Sequence, residues 1–178
     1  VEEKYDGSSL SKLAATVVAE EMSRAAGFSV SVGAHMTIGM LPIVYFGNEQ
    51  QKSHYLPKMV ACDLIGAYAL TEPESGSDAM GAKTQAVLSE DGKHWILNGT
   101  KMWISNGGFA DVFIIFAKVD GERKNFSAFI VERAHGVKSG AEEKKMGIKS
   151  SSTTQLMLEN VEVPVENLLG EIGDLSLI

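Results

Sequence analysis

Leu64-Ile65-Gly66-Ala67-Tyr68-Ala69-Leu70 runs directly into Thr71-Glu72-Pro73-Glu74-Ser75-Gly76-Ser77-Asp78. The first seven residues are apolar or small apart from the Tyr68 hydroxyl. The next eight are hydroxyls, carboxylates, a proline and a glycine. The chain changes character at this junction: before residue 64 the apolar spacing is helical, and after it the spacing and punctuation are those of strands. A plain turn needs one or two such polar residues, not eight. The run fits an over-decorated solvated loop, and it equally fits a ligand cradle at the end of a strand.

Upstream, Ser8 or Ser9 can cap a helix carrying Leu10, Leu13, Ala14, Val17, Val18, Met22 and Ala25 at three- and four-residue steps, with Gly27 as its stop. Residues 28–46 are apolar nearly all round, with His35 as the titratable exception, and predict a helix buried on most sides. Asn48 followed by Gln51 reads as a capping box opening a short helix that ends near Pro57. Downstream, strands are expected at 64–71, 83–89, 93–98, 100–105, 112–119, 126–132 and 153–163. Turns are expected at Asp91-Gly92, Asn98-Gly99, Asn106-Gly107-Gly108 and Asp120-Gly121. The fold class expected is α+β: a helical segment over 1–63, a mainly antiparallel β-barrel over 64–170, and the start of a further connection over 171–178.

Composition narrows the chemistry. The 178 residues are 44% hydrophobic and 22% charged, ordinary for a globular chain, and the net charge of -7 argues against a nucleic-acid groove. A single cysteine, Cys62, leaves no internal disulfide framework and no zinc site built on cysteine pairs. Neither an apolar run of bilayer length nor a signal peptide is apparent. The four histidines, His35, His54, His94 and His135, lie far apart without ligand spacing, so no metal is expected. Dinucleotide-binding, P-loop and Gly-x-Ser-x-Gly motifs are missing from the sequence.

Two features remain. In the opening stretch, Gly76 permits close approach of the backbone and Ser77-Asp78 offers short polar groups and N–H donors. That suits an oxygen-rich ligand, although Glu72, Glu74 and Asp78 repel a bare anion unless backbone amides bind it. The other feature is Gly99-Thr100-Lys101-Met102-Trp103-Ile104-Ser105-Asn106-Gly107-Gly108. Strand alternation sets Trp103 and Ser105 on one face, a flat ring beside a hydroxyl, which suits a planar cofactor; a core tryptophan before an Asn-Gly turn explains the same letters.

Taken together, the two stretches resemble one family. Residues 69–81 (Ala-Leu-Thr-Glu-Pro-Glu-Ser-Gly-Ser-Asp-Ala-Met-Gly) resemble the signature of the acyl-CoA dehydrogenases, and Trp103-Ile104-Ser105-Asn106-Gly107 resembles that family's second flavin motif. Similar blocks include Gly33-Ala34-His35, residues 46–52, Tyr55-Leu56-Pro57-Lys58, residues 143–149 and Asn160-Val161-Glu162-Val163-Pro164. Gly-Ala-His and the 143–149 block look most like the long-chain and very-long-chain branch. The resemblance implies FAD as cofactor and a fatty acyl-CoA as substrate, with α,β-dehydrogenation to the trans-2-enoyl-CoA. It also implies a homo-oligomer that passes electrons to an electron-transferring flavoprotein, in the bacterial cytoplasm or the mitochondrial matrix. By position, Tyr68, Ala69, Leu70 and Thr71 are expected to line the flavin ring, the Thr71 hydroxyl meeting its pyrimidine edge. Gly76 and Ser77 are expected near the phosphates, with Ser77 also meeting the CoA. Trp103 and Ile104 are expected against the ring system, and Ser105, where many members carry threonine, near N5. The acids of the loop are then expected to point at neighbouring main chain.

The sequence also departs from the family. Ala61-Cys62-Asp63 replaces a glycine-containing turn, and Glu166 and Glu171 come too early in the chain to match the family's catalytic glutamate. The resemblance implies that this base belongs to a C-terminal four-helix domain, so the chain is expected to be an incomplete, inactive portion of such an enzyme; the alternatives are a short non-catalytic flavin or acyl-CoA binding module and an acyl-CoA oxidase-like relative.

Overall fold

The computed structural model describes residues 1–174; the last four residues of the expected 171–178 connection lie outside them. Four α-helices come first: α1 (Lys12–Met22), α2 (Ala26–Ala34), α3 (Leu41–Phe46) and α4 (Glu49–Val60). Ser11, not Ser8 or Ser9, caps α1, its side chain accepting from the Ala14 N–H. The chain breaks at Ser23–Ala25, so Gly27 opens α2 instead of closing α1. A side chain there would force Ser150 to move, because a Cβ would run into the Ser150 side chain. The capping box at α4 forms as expected: Gln51 N–H donates to Asn48 Oδ1 at 2.9 Å and Asn48 N–H to Gln51 Oε1 at 3.0 Å. Pro57 does not end this helix, which continues to Val60.

The 28–46 region corrects two expectations. A π-helical turn, His35–Gly39, joins α2 to α3. Ala26–Phe46 thereby form one helical run of 21 residues with mean hydropathy 1.4, which by length and composition alone is sufficient to cross a membrane. Single polar residues such as Ser29, Ser31, His35 and Thr37 split the run in sequence but do not interrupt the helix. The run is also less buried than its composition predicts. Ile43 is fully buried, whereas Phe28, Met36, Ile38 and Tyr45 are exposed, as are Leu10, Leu13, Val17 and Val18 of the α1 stripe.

Eight strands follow: β1 (Gly66–Ala69), β2 (Gln85–Leu88), β3 (His94–Ser105), β4 (Val112–Val119), β5 (Phe126–Glu132), β6 (Lys138–Glu142), β7 (Thr153–Pro164) and β8 (Leu168–Leu169). They form one sheet in the order β6-β7-β3-β2-β4-β5-β8, with β1 also on β4. Most pairs are antiparallel; β1 and β2 each run parallel to β4, at opposite ends of it. Sequence patterning misses β6 and β8, which are polar or too short to show a period. It also splits β3 in two at Asn98-Gly99, where the chain makes a bulge against β7 and no turn.

Alternation assigns the two faces. Ala67, Ala69, Phe113, Ile115, Ala117, Phe129 and Val131 fill the inner cluster with residues of β3 and β7. Ile114, Phe116, Ala128 and Ile130, with Tyr68 and Leu70 beside them, pack against Met40, Ile43, Leu56 and Met59 of the helical layer. β4 and β5 are covered on both faces, which is why they read as unbroken apolar runs.

Candidate functional site

β1 carries the first motif, and it is pinned at its start. Gly66 N–H donates to His35 Nδ1 at 2.9 Å, while the other ring nitrogen lies 3.0 Å from the Met59 carbonyl. The ring is thus a neutral tautomer, donating from Nε2, and burial holds its pKa below the ordinary value. The Gly66 carbonyl accepts from Asn106 Nδ2 at 3.2 Å, and the same amide donates to the Ser31 carbonyl at 2.9 Å. Gly39 and Gly66 are in backbone contact: a Cβ on Gly39 would lie 2.8 Å from the Gly66 carbonyl carbon.

The expected site residues separate by exposure. Ala69 and Ile104 turn their side chains into the barrel, leaving only main chain to meet a ligand. Tyr68, Leu70, Thr71 and Ser105 are half-buried, and Gly76, Ser77 and Trp103 are exposed. The Tyr68 ring lies 5.0 Å from that of Phe116, and burial pushes its phenol up to about 12. Trp103 is 55% exposed, which removes the reading of a core tryptophan. Its backbone is left-handed, φ 61°, at a second bulge of β3 between Lys101 and Ile104. Simple alternation is broken there, and for a bulky residue such a φ is an outlier that the surroundings must hold.

The structure joins the two motifs directly. Met102 N–H donates to the Thr71 carbonyl at 2.8 Å. The Lys101 ammonium, with 0% exposure, donates to Glu72 Oε1 at 2.7 Å and to the Leu70 carbonyl at 3.2 Å. Glu72 also accepts from Lys83 N–H at 2.5 Å, and from Thr84 N–H at 3.0 Å and Thr84 Oγ1 at 2.5 Å. Burial alone raises the Glu72 pKa; Lys101 and the hydrogen bonds from Thr84 and Lys83 outweigh it and hold the group below the ordinary carboxylate range.

The remaining acids of the loop are neutralised by cations: Glu74 pairs with Lys83, and Asp78 with Arg123 at 3.0 Å. Only Glu72, then, points at main chain as expected; Glu74 and Asp78 meet side chains. Ser75 is buried and donates to the Asp78 carbonyl at 2.6 Å, closing the loop on itself. Among the described residues, the Gly76 and Ser77 N–H groups and the Ser77 hydroxyl make no hydrogen bond, so donors remain along the exposed rim of a loop whose acids are paired. A shallow groove of about 220 Å³ runs between this loop and β3, bordered by Pro73, Glu74, Thr84, Gly99 and Thr100. Arg133 shapes the turn after the second motif, donating to the carbonyls of Ala110 at 2.7 Å and Gly107 at 2.8 Å.

Sequence reading missed Lys101, Thr84 and Arg133. For Lys101 a signal existed: a lone lysine at two-residue steps from Trp95 and Leu97, buried positions of the same strand. Thr84 and Arg133 carried none, because their roles depend on partners remote in sequence.

A helical layer on a mixed, mainly antiparallel sheet, with the Thr71–Met102 hydrogen bond joining the 71–78 loop to the strand that carries the exposed Trp103, defines the class as an α+β chain. Residues 1–63 match the family model of the acyl-CoA dehydrogenase N-terminal domain, and residues 67–161 that of the acyl-CoA dehydrogenase middle domain. The chain belongs to the acyl-CoA dehydrogenase family, whose cofactor is FAD. It is 59% identical to a probable acyl-CoA dehydrogenase of Bacillus subtilis over 97% of its own length and 29% of that protein's. It is 46% identical to the human mitochondrial very long-chain specific acyl-CoA dehydrogenase over 83% of its length and 24% of the relative's. Among solved structures, an acyl-CoA dehydrogenase of Bacillus anthracis complexed with FAD superposes with a TM-score of 0.95 at 59% identity, covering 97% of this chain and 30% of that one. The chain therefore spans less than a third of the length of these relatives.

Proposed function

We propose that this chain forms the flavin-side half of an FAD-dependent acyl-CoA dehydrogenase acting on long acyl chains, with residues 1–63 as the helical part and 64–170 as the barrel domain. The observation that carries the reading is the direct tie between Thr71 and Met102, which joins the first motif to the second immediately before the exposed Trp103. The residues fit the group: Trp103 is exposed and held in a left-handed conformation, and the loop offers unused donors while its acids are paired with cations. When bound, FAD supplies the hydride acceptor for the β-hydrogen of the thioester.

The chain's own residues bind and orient. Thr71 and Ser105 offer hydroxyls to the ring edge, Trp103 covers a ring face, Tyr68, Ala69, Leu70 and Ile104 form the wall behind, and Gly76 and Ser77 present N–H groups to phosphate. Ser77 is shared with the acyl-CoA. Glu166, whose main-chain carbonyl accepts from Gln51 Nε2 at 2.8 Å, is at the helix–barrel seam and is not assigned as the base that takes the α-proton. The long-chain preference follows the likeness to the very long-chain specific enzymes. Electron transfer to an electron-transferring flavoprotein, a homo-oligomeric assembly and a bacterial cytoplasmic or mitochondrial matrix location complete the reading.

The test is the visible spectrum of the chain titrated with FAD, then with a long-chain acyl-CoA. Protein-bound flavin bands that persist on adding acyl-CoA are expected. Bleaching would place the base inside the chain, and a spectrum identical to free FAD throughout would refute the cradle.

A further inference from the structure

A buried ion pair is an expensive way to hold a barrel together. Desolvating both charges costs about as much as their attraction returns, and apolar residues of similar volume serve stability as well or better. What an apolar pair cannot do is fix several main-chain groups in one register. Lys101 and Glu72 do that. The ammonium reaches the Leu70 carbonyl at 3.2 Å and Glu72 at 2.7 Å, and the residue after Lys101 clasps the Thr71 carbonyl. Glu72 in turn binds the main chain of Lys83 and Thr84, where the loop returns to β2. Immediately beyond this clasp β3 bulges, and Trp103 takes its left-handed backbone. The clasp is the nearest fixed point from which both the Thr71 carbonyl and the Trp103 bulge are set.

We propose that Lys101 is a positioning residue, acting with Glu72 to set the mutual register of Thr71 and Trp103, the two sides of the cradle. The clause concerning FAD rests on the flavin reading above; the clause concerning register does not. Burial draws the Lys101 amine below the ordinary lysine range against the opposing pull of Glu72.

The experiment uses the double variant Glu72→Gln/Lys101→Met in the intact protein, which removes both charges, keeps their volume and leaves no unpaired buried ion. Amide hydrogen exchange at Met102, at β4 and across the barrel is measured without ligand; FAD affinity is measured by titration. The expected result is unchanged exchange in β4, at least tenfold faster exchange at Met102, and at least tenfold weaker FAD binding. Wild-type exchange at Met102, or acceleration by the same factor in β4, would overturn the proposal, the latter by reducing the pair to a fold-stabilising element. If the double variant does not fold, Lys101→Arg, which retains a buried cation of different reach, is held to the same comparison of Met102 with β4. If Met102 exchange responds but FAD affinity does not, positioning of the cofactor is overturned. If the wild-type protein itself takes up no FAD, the flavin reading fails, and the register claim is decided by exchange alone.

Discussion

The Lys101 ammonium and the Glu72 carboxylate meet 2.7 Å apart with both side chains essentially sealed from solvent. Removing one partner leaves the other buried without its counter-charge. Lys101→Met alone is therefore expected to destabilise the folded chain by roughly 3–5 kcal/mol, and Glu72→Ala by a comparable amount. Denaturant unfolding checks both. The double replacement by neutral residues of similar volume is expected to recover most of that loss.

His35 makes stability pH-dependent. Its folded pKa lies below the ordinary value because burial disfavours the cation and Nδ1 must stay unprotonated to accept from Gly66. Below the unfolded pKa of about 6.5 the unfolded chain binds the proton more readily, so the contribution of this group is complete above that pH and is lost as pH falls through the folded pKa. Thermal melts between pH 8 and 5 are expected to show a loss attributable to His35. In His35→Gln that component should vanish, while overall stability drops by about 1–3 kcal/mol from the disturbed buried hydrogen bonds.

Trp103 separates function from folding. Because it is more than half exposed and strained, Trp103→Ala is expected to change unfolding free energy by less than about 1 kcal/mol. FAD affinity is expected to fall by about tenfold or more, the worth of a lost aromatic contact. Parallel denaturation and FAD titration check this, and a large stability loss with unchanged FAD binding would contradict it.

Gly39 is a contact point between the helical layer and β1. A methyl group there would press on the Gly66 backbone at 2.8 Å, which has no flexible end to yield. Gly39→Ala is expected to cost about 1–3 kcal/mol and to loosen the start of the first motif. The melting temperature reports the first effect, and hydrogen exchange at Gly66 the second.

The residue pattern alone determined the change from helix to strand at residue 64, the Asn48–Gln51 capping box, the apolar strands β4 and β5, and the two stretches that carry the family resemblance. Each of these is local: a period, a cap or a motif lies within a dozen residues. The pattern misplaced the ends of α1 and α4, because several serines are equivalent cap candidates and because Pro57 is accommodated inside the helix it was expected to end. It split β3 at Asn98-Gly99, because a bulge and a turn use the same residues. What only the tertiary structure decided is how the cradle is held. Lys101 and Glu72 lie 29 positions apart, and Gly66 and Asn106 lie 40 apart. Their bonds arise because the fold brings the β1 segment and β3 side by side, and no periodicity in either encodes a partner in the other. The acids of the loop likewise look repulsive in sequence and are neutralised in space, because their cations come from β3, from the return to β2 and from the turn before β5.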